Sequence, residues 1–126
     1  MKILIIEDAE VRQDRLKKIL SSITENIDCT KYAQEGIELL EKNAYDVVFL
    51  DHDLIGAQSG SHLTMEWANR PQSFATQKPI VIIHSMNGEG ARKMETHLKG
   101  LTSKTERIPF KLIILETVDI LEIIKN

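Results

Sequence analysis

Residues 3–8 have the sequence ILIIED, in which an unbroken apolar run is followed directly by Glu7 and Asp8. An apolar run of this length predicts a strand that is buried on both faces of a sheet. Two similar runs occur further along the chain, VVFL at residues 47–50 and IVII at residues 80–83, and Asp51 follows the first of them. These runs predict the central strands of a parallel sheet.

Segments with helical spacing of apolar residues lie between the strands, beginning with Leu16, Ile19, Leu20 and Ile23. The remaining predicted elements are a weak strand at residues 27–33, a helix around residues 37–40 that ends at Asn43, a loop at residues 56–61, a helix carrying Leu63, Trp67 and Ala68 that ends before Pro71, a helix carrying Ala91, Met94 and Leu98 that ends at Gly100, a weak strand at residues 106–108 and a helix at residues 112–124. This alternation predicts one α/β domain over residues 1–126, with five parallel strands in the order 2-1-3-4-5 and helices on both faces.

The composition is that of a globular chain, with 42% hydrophobic and 28% charged residues. The formal net charge of −3 argues against a broad nucleic-acid-binding surface. No apolar run approaches the roughly 20 residues that span a bilayer, so we expect no membrane partner. With Cys29 as the single cysteine no internal disulfide can form, and we expect a reduced, cytoplasmic location.

Acidic residues follow two strands that flank the point where the predicted strand order reverses. Ligands of such sheets bind at the carboxyl ends of the strands beside this point, so we expect Asp8 and Asp51 to share one crevice with Glu7. Crowded carboxylates call for a hard cation, and Mg²⁺, or Mn²⁺ in its place, is the predicted cofactor. Asp8 and Asp51 are its predicted ligands, and Glu7 is predicted to support it directly or through water. Asp53 either adds a ligand or holds a neighbouring histidine. The structural alternatives are an N-cap role for Asp8, a turn role for Asp51 and a solvated Glu7.

Further polar residues are predicted to reach the same crevice. His52 and His84 are candidates for general acid and base or for metal ligands, the alternative being buried histidines bonded to backbone. Arg12 lies one turn after Asp8 and is predicted to clamp a phosphate, although an exposed helical arginine has the same pattern. Ser85 and Asn87 bind a phosphate or cap the following helix; a helix start also attracts anions, so both roles are compatible.

The segments ILIIED, YDVVFLD (residues 45–51) and IPF (residues 108–110) resemble response-regulator receiver domains. The resemblance implies a flavodoxin-like, receiver-like (βα)5 three-layer sandwich with Asp51 as the phospho-accepting residue. Two positions depart from the receiver pattern. Ile108 stands where receivers have a lysine, with Lys111 as the nearest replacement, and His84 stands where they have threonine or serine. The loss of the lysine argues against an ordinary phosphorylation switch.

A finer resemblance is to the cyclic-phosphate processing receiver-like family of bacteria and their phages. It is carried by EDAEVR (residues 7–12), DHDL (residues 51–54) and HSMNGEGARKM (residues 84–94), with Gly88 where the family commonly has proline. The resemblance implies sensing or opening of the cyclic phosphate ends of nucleotides or RNA.

The leading hypothesis is therefore a metal-dependent phosphoesterase. Asp8 and Asp51 would hold the metal, His52 or His84 would activate water, and the phosphate would be oriented by Arg12 and Asn87. The alternatives are a receiver domain phosphorylated on Asp51 in two-component signalling, and a non-catalytic module that binds a nucleotide or a protein. Apolar residues on the last predicted helix indicate either a weak homodimer face or a well-covered core helix.

Overall fold

The computed structural model describes residues 1–115 and 119–125. Its sheet has five parallel strands, β1 (Ile3–Ile6), β2 (Ile27–Thr30), β3 (Val47–Leu50), β4 (Ile80–Ile83) and β5 (Lys104–Arg107). The strand order is β2-β1-β3-β4-β5, which confirms the predicted order. The described helices are α1 (Glu10–Leu20), α2 (Ala33–Lys42), α3 (Gly60–Asn69), α4 (Gly88–His97), α5 (Phe110–Ile114) and α6 (Ile120–Lys125), with a short 3-10 helix at Pro71–Ser73.

Several predicted boundaries are wrong by a few residues. Strand β2 ends at Thr30 because the Thr30 hydroxyl accepts the backbone N–H of Tyr32 and turns the chain towards α2. Helix α3 begins at Gly60, inside the predicted loop, and β5 ends one residue before Ile108. Two residues predicted on apolar helix faces also differ: Ile23 lies after the end of α1, and Ala68 is exposed rather than buried. These differences arise because tertiary contacts, rather than apolar spacing alone, determine where an element ends.

The single helix predicted at residues 112–124 is also wrong. Helix α5 ends at Ile114 and Leu115 lies in a turn, whereas α6 begins at Ile120; the part of the prediction at residues 116–118 lies outside the described residues. The apolar side chains of both helices pack in the core. Ile113, Ile120 and Ile124 are buried, and Ile114 and Ile123 are partly buried against them. The weak homodimer therefore stays a prediction.

The core consists of two apolar clusters on opposite faces of the sheet. Alternate residues of each central strand enter different clusters because successive strand side chains point to opposite faces. Leu4 and Val48 join the cluster of α2, α3 and α4, whereas Ile5 and Phe49 join the cluster of α1, α5 and α6. This arrangement confirms the predicted flavodoxin-like three-layer sandwich. Within residues 1–115 and 119–125 no helix has the length and apolar character needed to cross a bilayer.

Candidate functional site

The parallel register brings three polar residues together at the carboxyl edge of the sheet. Ile6 pairs with Leu50, and Leu50 pairs with Ile83. The next residue in each strand direction is Glu7, Asp51 or His84, and all three side chains are buried. One ligand atom from each lies within 4.8 Å of the others. The predicted crevice between β1 and β3 is therefore present, and β4 also contributes to it.

Glu7 is the centre of this site. Its Oε1 accepts hydrogen bonds from Arg12 Nε at 2.9 Å and from His84 Nε2 at 3.0 Å. Its Oε2 accepts from the Ala9 backbone N–H at 2.9 Å and from Arg12 Nη2 at 3.0 Å. Burial raises the pKa of Glu7, but the hydrogen bonds from His84, Arg12 and Ala9 outweigh it and hold that pKa far below its ordinary value. Glu7 is a fully paired carboxylate rather than the solvated strand-end acid of the alternative.

Arg12 spans the acidic cluster. Besides its two bonds to Glu7, its Nη2 lies 3.3 Å from Asp8 Oδ1 and 4.0 Å from Asp51 Oδ2. The hydrogen bond to Glu7 is the main reason that the pKa of Arg12 is raised. Arg12 is therefore ion-paired with the acids, while 42% of its side chain remains exposed as the alternative predicted. The guanidinium neutralises the carboxylates, and its predicted contact with a phosphate stays a prediction.

The carboxylates of Asp8 and Asp51 accept fewer hydrogen bonds than the carboxylate of Glu7. Burial, together with the hydrogen bond and charge of Glu7, raises the pKa of Asp8. Burial also raises the pKa of Asp51; His84 opposes the rise and the charge of Glu7 adds to it. Asp51 Oδ1 accepts the backbone N–H of His52 at 2.8 Å. The N-cap of α1 is Ala9, so the capping alternative for Asp8 is wrong.

These acids fit a divalent cation. Mg²⁺ is commonly held by one or two carboxylates and keeps several waters. Glu7 and His84 already hydrogen-bond each other, so we infer that Asp8 and Asp51 are the protein ligands a cation would take. Asp53 lies in the same cavity, but its Oδ1 pairs with His52 Nδ1 at 2.8 Å, and this hydrogen bond lowers the pKa of Asp53. Asp53 therefore has the second of its two predicted roles, because it holds a neighbouring histidine.

His84 lines the cavity and supports Glu7. Because an ionised carboxylate has acceptors alone, the proton of this hydrogen bond belongs to His84 Nε2. The other ring nitrogen, Nδ1, is buried and has no hydrogen-bond partner among the described residues. The rings of Phe49 and Phe110 lie 6.4 and 6.2 Å from the imidazole, centroid to centroid. His84 therefore orients the central carboxylate.

His52 pairs with Asp53 rather than with Glu7, Asp8 or Asp51. Its Nδ1 faces Asp53, and its Nε2 lies 3.2 Å from Ser61 Oγ at the start of α3. The ring fills the space beside Gly90, where any Cβ would overlap it. His52 is not among the side chains that line the acidic cavity. The structure thus does not bring the two predicted histidines to the same site.

Ser85 and Asn87 shape the turn after β4. Asn87 is the N-cap of α4, and its Oδ1 accepts the backbone N–H of Gly90 at 2.9 Å. Its Nδ2 lies 3.3 Å from Asp53 Oδ1, and Ser85 Oγ accepts the Asn87 backbone N–H at 3.0 Å. The capping role of Asn87 is confirmed, while phosphate binding by Ser85 and Asn87 stays a prediction.

The cavity above the acids has a volume of about 390 Å³. Besides the polar residues already described, it is lined by Met86, Phe110, Lys111 and Ile114. Sequence reasoning named Lys111 as a replacement for the missing receiver lysine but missed the three apolar residues. Ile108 is buried in the core and brings no charge to the cavity. An apolar Met86 inside the polar segment HSMN was the signal available in the sequence.

Several solved receiver domains have the same fold as this chain. A CheY-like receiver domain from Methanospirillum hungatei is 20% identical with a TM-score of 0.65, covering 98% of this chain and 93% of that one. The receiver domain of the histidine kinase CKI1 from Arabidopsis thaliana, complexed with Mg²⁺, is 17% identical with a TM-score of 0.68, covering 97% and 90%. The phosphorylated cyanobacterial response regulator RcpA is 16% identical with a TM-score of 0.69, covering 98% and 88%. The chain has the receiver fold.

The family is narrower than the fold. The family model of the cyclic-phosphate processing receiver domain matches residues 3–100, and the chain belongs to that family. The transcriptional regulatory protein QseB of Escherichia coli O157:H7 is 30% identical over 101 residues, which are 80% of this chain and 42% of QseB. The chain therefore matches less than half the length of that relative. Both predicted resemblances are confirmed.

Proposed function

We propose that the acidic cavity binds a divalent cation together with a phosphate ester, and that its ligand is the cyclic phosphate end of a nucleotide or RNA. The observation that carries the proposal is the convergence of Asp8, Asp51 and Arg12 in one cavity at the carboxyl edge of the sheet. Family membership supports the choice of ligand. The same arrangement of acids and guanidinium suits any phosphate ester, so the cyclic end is the part that needs testing.

In this proposal the acidic residues bind the cation and the cationic residues bind the phosphate. Asp8 and Asp51 would hold the cation, which would supply positive charge to the phosphoryl oxygens. Arg12 is fixed by its two bonds to Glu7 and presents a guanidinium beside those acids, where it orients the phosphate. His84 keeps Glu7 ionised and in place through its Nε2–H. Lys111 adds a second positive charge at the rim.

The geometry supports sensing more strongly than hydrolysis. A general base needs an acceptor atom that faces the attacking water. His52 lies outside the cavity, the Nε2 of His84 donates to Glu7, and its Nδ1 is buried. Neither histidine in this arrangement has an acceptor atom open to the ligand. We therefore infer a site that binds the cyclic phosphate intact.

Binding and turnover of 2′,3′-cyclic nucleotides in Mg²⁺ or Mn²⁺ test the proposal directly. We expect binding by calorimetry that requires the cation, disappears in Asp51→Asn, and leaves the nucleotide unopened. Absence of binding across a panel of bases and both cations would refute the proposal. Opening of the ring that stops in His84→Ala would instead restore the predicted phosphoesterase and assign a catalytic role to His84.

A second function is favoured by the position of Asp51. Its carboxylate follows β3 and lines the cavity, in a domain whose fold is that of response regulators. Phosphorylation of Asp51 by a small-molecule phosphoryl donor would appear as a mass gain that is absent in Asp51→Asn. Ile108 is buried where receivers have a lysine, so we infer that Lys111, which lines the cavity, would pair with the phosphoryl group instead. A phosphoryl group that forms equally well in Lys111→Gln would contradict that assignment.

A further inference from the structure

One wall of the acidic cavity is apolar. It consists of Met86, Phe110 and Ile114, and here these three residues are called the apolar wall. Met86 directly follows Ser85, and 70% of its surface is exposed. Phe110 and Ile114 belong to α5 and are more covered. Small-molecule pockets are lined mainly by apolar side chains with a few polar groups, and Met86 gives this cavity apolar surface that a ligand can reach.

The same cavity is also lined by two cationic residues, Arg12 and Lys111. Arg12 from α1 is paired with the acids, whereas Lys111 from α5 is exposed and has no side-chain hydrogen bond or ion pair within the described residues. Lys111 and Ile114 are three residues apart on α5 and therefore share one face of that helix. One helix face thus brings a free cation and part of the apolar wall to the same cavity.

A bare phosphate ion would use these cationic residues and leave the exposed surface of Met86 in water. We propose that the apolar wall is a subsite for the ring system of a nucleobase, so that the cavity prefers a nucleoside cyclic phosphate to a cyclic phosphate without a base. This inference rests on the proposed function. Thioether sulfur makes favourable contacts with aromatic rings, and a cavity of about 390 Å³ lies within the range of about 300–1,000 Å³ seen for small-molecule sites.

Calorimetric titration of the complete chain in Mg²⁺ tests the subsite with two ligands, 2′,3′-cyclic AMP and the cyclic phosphate of glycerol. The quantity of interest is the ratio of their dissociation constants. We expect Met86→Ala to lower the preference for the nucleotide roughly two- to tenfold, the size of a sulfur–ring contact. Met86→Leu should keep most of the preference. Met65→Ala, which changes an exposed methionine on α3 outside this cavity, should leave the ratio unchanged.

Lys111 separates recognition of the phosphate from recognition of the base. Lys111→Gln should weaken both ligands by about tenfold without changing their ratio, because it removes a charged contact to the shared phosphate. Lys99→Gln, at an exposed lysine outside the cavity, is the matched control. Equal binding of the two ligands by the wild type, or an unchanged ratio in Met86→Ala, would overturn the subsite. Binding of neither ligand would instead refute the proposed function itself.

Discussion

Glu7 and His84 are 77 positions apart in the chain, yet their hydrogen bond determines how the site is organised. Glu7 has no exposed surface, and an unpaired carboxylate in that position would be very costly. His84 Nε2, Arg12 and the Ala9 backbone N–H together satisfy both of its oxygens. Glu7 therefore fixes the guanidinium of Arg12 beside Asp8 and Asp51 in the cavity.

Arg12 is expected to stand in for a cation when none is bound. We predict that Arg12→Ala lowers the free energy of unfolding by about 1–3 kcal/mol, since it leaves the buried Glu7 carboxylate short of two hydrogen bonds. Saturating Mg²⁺ should recover part of this loss by neutralising Asp8 and Asp51. Urea denaturation with and without Mg²⁺ measures both effects. The control is Arg15→Ala on the exposed face of α1, and an equal loss in that variant would contradict the prediction.

Asp51 is expected to cost stability at neutral pH, because burial and the charge of Glu7 raise its pKa in the folded state. A raised carboxyl pKa means that the folded state binds the proton more tightly than the unfolded state does. The cost is then fully present above the folded pKa and vanishes as the pH falls below the unfolded value of about 3.9. We predict that Asp51→Asn raises the free energy of unfolding at pH 7 by about 0.5–2 kcal/mol.

The pH dependence separates this charge effect from a packing effect. Denaturation curves at several values between pH 7 and pH 3 should show the gain of Asp51→Asn shrinking steadily towards zero. Saturating Mg²⁺ should also reverse the gain at pH 7, since the wild type gains a bound cation that the variant lacks. A gain that stays constant across the pH range would show that the carboxylate charge is not its cause.

At the scale of elements, the loop after β3 and the starts of α3 and α4 lie in direct contact. Gly60 opens α3, and a Cβ there would overlap the backbone oxygen of Asp51 and lie 2.8 Å from Met94 Sδ. The ring of His52 fills the space beside Gly90 in the same way. The loop that carries Asp51 is therefore positioned by two helices as well as by its own strand.

Gly60→Ala is expected to disturb this contact. The added Cβ meets backbone that has little room to move, so we predict a loss of about 1–3 kcal/mol in the free energy of unfolding and weaker binding of Mg²⁺. Gly88→Ala is the matched control, because a Cβ at Gly88 meets nothing within 4 Å. That variant should stay within about 1 kcal/mol of the wild type. Thermal unfolding and calorimetry compare the two, and similar losses would contradict the role given to Gly60.

At the scale of the whole molecule, binding at the sheet edge should stabilise the entire fold. The acids follow strands whose other residues form both core clusters, so local opening of the site would disrupt the core. Trp67 is buried in one of these clusters and stacks on Phe74 at 5.4 Å between ring centroids. Its emission is therefore a suitable reporter of global unfolding.

We predict that Mg²⁺ at one hundred times its dissociation constant raises the free energy of unfolding by about 2.7 kcal/mol. Asp8→Asn and Asp51→Asn should remove most of this response, since each deletes a charged oxygen ligand. Asp53→Asn should keep it, because that carboxylate pairs with His52 and is largely exposed. Trp67 emission during urea denaturation gives the values. A response lost in Asp53→Asn as well would return Asp53 to the set of metal ligands.

The sequence by itself determined the sheet, the family and the placing of Glu7, Asp8 and Asp51 at one edge. It could do so because buried parallel strands are unbroken apolar runs, and because parallel register aligns whatever residue follows each run. Predicted boundaries such as the start of α3 were less accurate, since contacts between distant segments decide where an element begins.

Tertiary structure alone decided which of the polar residues act together. Glu7 lies at the centre of the site, where Arg12 pairs with it. Asp53 pairs with His52, and three apolar residues line part of the cavity. A side chain's partners depend on its rotamer and on atoms that approach from remote parts of the chain, and neither is encoded in the spacing of residue types. The acidic pair Glu7 and Asp8 shows the difference: the two are adjacent in sequence and line the same cavity, but Glu7 is fully buried whereas the Asp8 side chain is partly exposed.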